Sequence, residues 1–102
     1  MGYIYLINEL GTNNYKIGVT KGNIEKRKKP LQTGNSDELF LTRKFQTENP
    51  YKLEKFLHRY YHKEHKNGEW FILSDEQVLD FINICEKYTE TITVLISENP
   101  FY

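Results

Sequence analysis

The sequence carries one cysteine, one methionine, one tryptophan and three prolines in 102 residues. A lone Cys85 cannot close an intramolecular disulfide, and no cysteine cluster exists to hold zinc. At apolar helical spacing it reads as a small core residue in a reducing compartment. No apolar run approaches bilayer-spanning length, and no basic stretch followed by an apolar run opens the chain, so an intracellular soluble protein with no membrane partner is expected. Neither sign of charge is in excess: Lys plus Arg number 14, as do Asp plus Glu. Net charge therefore exerts no global pull towards nucleic acid. Internal repeats, low-complexity tracts and linkers are lacking too. A chain this short fits one domain that buries roughly 60–70% of its unfolded surface.

What is present is unevenly placed. Lys16, Lys21, Lys26, Arg27, Lys28 and Lys29 stand between residues 15 and 30 against only Glu25, whereas residues 69–102 are dominated by acidic side chains. A local basic patch is what phosphate contact requires, because neutralising phosphates releases counterions. Lys21, Lys26, Lys28 and Lys29 are its nucleic-acid-binding candidates; otherwise the patch is a solvated helix face.

Period-2 alternation, β-branched residues and aromatics over residues 2–8 predict a strand, and Gly11-Thr12-Asn13-Asn14 predicts the turn into a second strand over residues 15–19. Alternation puts Ile4 and Leu6 towards a core, with Tyr3, Tyr5 and Ile7 on the opposite surface. Tyr15, Ile17 and Val19 share one face of the return strand, and Lys16 and Gly18 the other. Two phenols beside a lysine suit proton transfer, since an ammonium favours phenolate. Taken alone, the hairpin reads as ordinary strand aromatics with an edge charge.

Asn23 is a reasonable cap for a short helix limited by Pro30, with Arg27 near its inner face. Residues 39–47 read as a third strand. Asn49-Pro50 opens a helix with the apolar stripe Leu53, Phe56, Leu57 and Tyr60, which Lys66-Asn67-Gly68 ends. Glu54 and His58 fall one turn apart on its flank. Residues 69–73 read as a short strand or extended segment, whose Trp70 and Phe71 are expected to close the core over this helix. Ser74 to Gln77 is a capping box that opens a further helix with Val78, Leu79, Ile82, Cys85 and Tyr88 at core spacing, and residues 91–96 form a β-branched run expected as an edge strand.

The order of these pieces resembles the GIY-YIG nuclease superfamily. Tyr3-Ile4-Tyr5 stands for the first tripeptide and Lys16-Ile17-Gly18 for the second, at the family's spacing; Tyr3 stands where glycine is usual and Lys16 where the second tyrosine is. Arg27 and Glu54 follow where the family places its arginine and its metal-binding glutamate. Leu31-Gln32-Thr33-Gly34-Asn35, Leu53 to His58 and Gly68-Glu69-Trp70-Phe71 are similar to the branch found in phages, large DNA viruses and some bacterial and fungal proteins. Asn67 is a candidate for the family's later asparagine. The resemblance covers residues 1–74, a nuclease core, with residues 75–102 as a helix and strand packed on the same domain.

It implies an α+β fold with a small, mainly antiparallel three-stranded sheet flanked by helices. It also implies a metal-dependent endonuclease acting on DNA, in which Tyr5, assisted by Lys16, takes a proton from the attacking water and Tyr3 supports the nucleophile. Arg27 would stabilise the phosphoryl oxygens, and Glu54 would hold one Mg²⁺, or Mn²⁺. His58 would orient Glu54, touch phosphate or simply pack. With one such site per chain, duplex breakage requires a homodimer or two nicks; lacking a specificity domain, the chain would act non-specifically, on a branched structure, or through a partner protein. The competing readings are a non-catalytic nucleic-acid-binding module of the same fold and a protein-interaction domain using the acidic half.

Overall fold

The computed structural model describes residues 1–22, 38–99 and 101–102. Its frame is the hairpin of β1 (Gly2–Glu9) and β2 (Asn14–Thr20), which pair antiparallel with Tyr5 opposite Gly18 and Ile7 opposite Lys16. Gly11 takes a φ of 80° in the turn, a conformation that a side chain would strain. Asn8 Nδ2 ties the turn by donating to the carbonyls of Thr12 (3.0 Å) and Asn14 (3.1 Å).

On one side β3 (Leu39–Thr47) adds antiparallel to β1, with a register shift between Leu6 and Ile7. On the other, β5 (Trp70–Ile72) pairs with β2 over Asn14 to Lys16 only, and β4 (His65–Asn67) pairs with β5. The sheet therefore has five strands in the order β3-β1-β2-β5-β4, not the three expected from the sequence. The two additional strands are three residues each, too short to show alternation.

Two helices, α1 (Pro50–Tyr60) and α2 (Asp75–Glu98), flank this α+β sheet among the described residues. Pro50 sits in the first turn of α1, where its missing N–H costs nothing. Asn49 makes no side-chain cap. In α2 the capping box forms in full: Ser74 Oγ accepts from Gln77 N, and Ser74 N donates to Gln77 Oε1.

Ile4, Leu6, Tyr15 and Ile17 from one face of the sheet pack with Leu53 and Leu57 of α1, Phe71, Leu73, and Val78, Phe81, Ile84, Cys85 and Ile92 of α2. Each such aliphatic side chain removed from water contributes about 1.5–3 kcal/mol before entropy is charged against it. Burial, with a smaller push from Glu86, raises the Cys85 thiol to about 12.

Five local expectations are corrected. Residues 91–96 are helical and belong to α2, and helix α1 stops at Tyr60 rather than Lys66, giving way to a single 3-10 turn over His62–Glu64 and then β4. Tyr61, not Tyr60, is the buried aromatic, and Leu79 is exposed while Phe81 and Ile84 are buried. Trp70 does not join the core over α1: it packs on the opposite face against the small cluster of Tyr5, Ile7 and Leu39. The short helix expected after Asn23 lies outside the described residues. No helix among the described residues is long and apolar enough to cross a membrane.

Candidate nuclease site

Alternation along β1 and β2 puts Tyr3, Tyr5, Ile7, Lys16 and Gly18 on one face, as the sequence pattern requires. Tyr5 is not on a surface, however. It is fully buried, with Tyr3 half-buried beside it. Its ring lies across Gly18: a Cβ built there would stand 2.7 Å from Tyr5 Cε1 and nearer still to Cζ and the hydroxyl. Gly18 has no positive φ, so close approach, not backbone conformation, is what excludes a side chain there.

Lys16 is diagonal to Tyr5 on this face and directly opposite Trp70. Only 8% of it is exposed. Its ammonium is ion-paired with Glu69 Oε2, and the two chain segments are tied again by the bond from Ile17 N to Glu69 O (3.0 Å). A largely buried charge needs such a partner.

Because β5 stops pairing with β2 at Lys16, the flank of α1 reaches the rest of that strand edge. His58 Nε2 lies 3.0 Å from the Ile17 carbonyl, which makes Nε2 the protonated nitrogen, and its ring meets the Phe71 ring edge-on at 5.0 Å. His58 thus packs and ties α1 to β2. One turn earlier, Glu54 is half-buried, and its Oε2 has no hydrogen-bond partner among the described residues. Burial, secondly the negative charge of Glu69, and more weakly a side-chain hydrogen bond with Glu69 hold its carboxyl above the ordinary carboxylate range, with His58 and Lys16 pulling the other way.

The structure therefore brings together Tyr3, Tyr5 and Lys16 on one face, and Glu54 and His58 at the adjoining edge. Lys21 stands apart, exposed, with its ammonium 5.5 Å from the centre of the Tyr51 ring. Arg27, Lys26, Lys28 and Lys29 lie outside the described residues. Asn67 is exposed in β4. The place beside Lys16 and Glu54 is taken instead by Glu69, which sequence reasoning missed as a site residue. Its signal was its place in Gly68-Glu69-Trp70-Phe71, a run that carries the family resemblance without giving Glu69 a role.

Residues 2–86 match the T5orf172 domain. The chain belongs to the T5orf172 domain family. This family is associated with GIY-YIG-like nuclease proteins in phages and other organisms, and the α+β architecture of this T5orf172 domain is broadly GIY-YIG-like. No curated relative and no solved structure matches the chain.

Among the described residues, no group of three or more His, Cys, Asp or Glu side chains converges as a metal site. A fit to a hard divalent cation rests on Glu54: a carboxylate oxygen buried without a partner is a suitable donor for an ion that keeps most of its waters and takes one protein carboxylate.

Proposed function

We propose that this T5orf172 domain is a metal-dependent endonuclease that hydrolyses DNA phosphodiester bonds. The observation that carries the reading is the meeting of Lys16, Glu69 and the unpartnered Glu54 oxygen beside the buried Tyr5. A structural ion pair alone would not explain a second, half-buried carboxylate held beside Glu69, which costs stability unless a cation or a shared proton answers the two groups.

Tyr5 would accept the proton of the attacking water, with Lys16 diagonal to it across the hairpin. Gly18 would fix the plane of the Tyr5 ring, and Glu69 would hold Lys16 in place. Tyr3 would support the phenol from the neighbouring position on β1. Arg27 is proposed from the family resemblance to neutralise phosphoryl oxygens. Glu54 would hold a Mg²⁺ or Mn²⁺ ion, which when bound supplies charge stabilisation at the leaving oxygen. Lys21, Lys26, Lys28 and Lys29 would grip phosphates on either side of the cut. With one site per chain, the product is a nick.

The test is conversion of supercoiled plasmid in Mg²⁺, in EDTA, and with Glu54→Ala beside the parent. Nicking that requires both the cation and Glu54 is the expected result. Salt-dependent DNA retardation with no cutting of duplex, single-stranded or branched substrates would replace catalysis by a non-catalytic binding module.

A further inference from the structure

Trp70 is the sequence's single tryptophan, and it is placed unusually. The residue after it, Phe71, enters the main core, whereas Trp70 faces the Tyr5 side of the sheet and stays half-buried. Its accessible side borders a hollow of about 180 Å³ that is otherwise lined by Glu9, Asn14, Lys66 and Asn67. The hollow lies between the ends of two hairpins: Glu9 and Asn14 close the β1–β2 turn, and Lys66 and Asn67 belong to β4, paired with β5.

The chemistry of that lining is selective. One ammonium and one carboxylate leave it without net charge, which argues against a phosphate site. An aromatic plane with the exposed Asn67 amide, beside an Asn14 whose Nδ2 already donates to Glu9 Oε1 (3.2 Å), instead suits a flat, neutral ligand with donors and acceptors on its edge. Amides of this kind pair with base edges, and a tryptophan face stacks on any base. The position is selective too. Trp70 is directly opposite Lys16 across β5 and β2, and such pairs have Cβ atoms about 5 Å apart. A ligand stacked on Trp70 is therefore next to whatever phosphate Lys16 faces.

We infer that the hollow at Trp70 is a nucleobase subsite, which receives one unpaired base adjacent to the phosphodiester at Lys16. A base inside a duplex cannot reach it, so the preferred substrate has an unpaired or displaced nucleotide beside the cut: a single strand, a flap or a branch. This rests on the nucleic-acid reading above but does not require catalysis.

The experiment follows Trp70 fluorescence in EDTA, where no cation supports cutting. The probes are oligodeoxyadenylate, oligoriboadenylate, an abasic phosphodiester of equal length and a fully paired hairpin. Quenching by an adenylate strand, and not by the abasic backbone or the hairpin, is expected; the sugar that quenches at lower concentration identifies the strand. By anisotropy of a labelled strand, Trp70→Ala should weaken binding about 10- to 100-fold, the usual loss for one base stack, while Trp70→Phe retains most of it. Asn67→Ala, at an exposed position, should weaken binding several-fold without touching the core. The inference is overturned if the abasic backbone quenches as well as the adenylate strands, if no strand quenches, or if both alanine variants bind like the parent. Quenching with no cutting of duplex, single-stranded or branched DNA in Mg²⁺ would support the subsite while removing the endonuclease reading; cutting without quenching would do the reverse.

Discussion

The phenol ring of Tyr5 rests on the bare backbone of Gly18, its direct partner across the β1–β2 pair. A methyl group at residue 18 has nowhere to go unless that ring moves, and the ring is fully buried. Gly18→Ala should therefore cost about 1–3 kcal/mol in urea unfolding, as overpacking usually does. Assayed well below its unfolding temperature, it should also nick plasmid at least tenfold more slowly, because small misplacements of a reacting group are expensive, on the order of 10² in rate. A destabilised variant that nicks at the parental rate would show that Tyr5 takes no part in the reaction.

Lys16 and Glu69 should behave as one unit. Lys16→Met and Glu69→Gln are each expected to lower the nicking rate by roughly 10²-fold, the usual scale for one electrostatic group. The double variant should be no slower than Lys16→Met alone, since Glu69 acts through the ammonium that is already gone. Additive losses would mean that the two side chains do separate work.

Glu54 sets a dependence on pH whose sign can be worked out. Its carboxyl titrates higher in the folded protein than in the unfolded chain, so the folded state binds the proton more tightly. Stability is then full below the ordinary carboxylate range and is lost as pH rises through the raised folded value. Glu54→Gln should raise the thermal midpoint at neutral pH without cation, and this advantage should vanish in acid. Mg²⁺ should stabilise the parent at neutral pH but not Glu54→Gln. Equal stabilisation of both by Mg²⁺ would dismiss Glu54 as the cation's ligand.

A simpler test of the core concerns Tyr61. Its ring is buried against Phe81, and its hydroxyl has no hydrogen-bond partner among the described residues. Burial accordingly pushes the phenol well above its usual range, with smaller contributions from Tyr60 and other neighbours. Tyr61→Phe should keep the packing and stabilise the protein by about 1 kcal/mol in urea unfolding, by removing an unanswered polar atom. A loss of stability would reveal a partner for the hydroxyl.

The hairpin, the start of α1 and the cap of α2 were legible because each has a local cause: alternation around Ile4 and Leu6, the fixed φ of Pro50, and the reciprocal Ser74–Gln77 bonds. The end of α2 was not. Thr91 to Ile96 has the composition of a strand, but Ile92 is drawn into the core and the threonine hydroxyls are satisfied within the helix. Thr89 donates to Cys85 O, Thr91 to Lys87 O and Thr93 to Thr89 O. Packing plus these bonds overrides β propensity.

Residues 69–73 were legible as a short strand, but their partner β4 was hidden for a different reason. His65, Lys66 and Asn67 carry no hydrophobic pattern, and Gly68, at a φ of 50°, was read as a helix end when it makes a turn. Of the candidate site, Tyr5, Lys16 and Glu54 are singled out by the family resemblance. Glu69 escaped because its meaning is a contact with Lys16, 53 residues away, and no spacing rule encodes that.

Helix α2 runs without a break through Glu98, whereas the family match ends at residue 86. The recognisable boundary therefore falls inside a continuous rod, short of Ile92, which is 1% exposed. Cutting the gene at the homology limit would pull that anchor out of the interior and fray the rod from its new end. Expression of this domain for crystallisation, fusion or transplantation thus has to carry the whole helix.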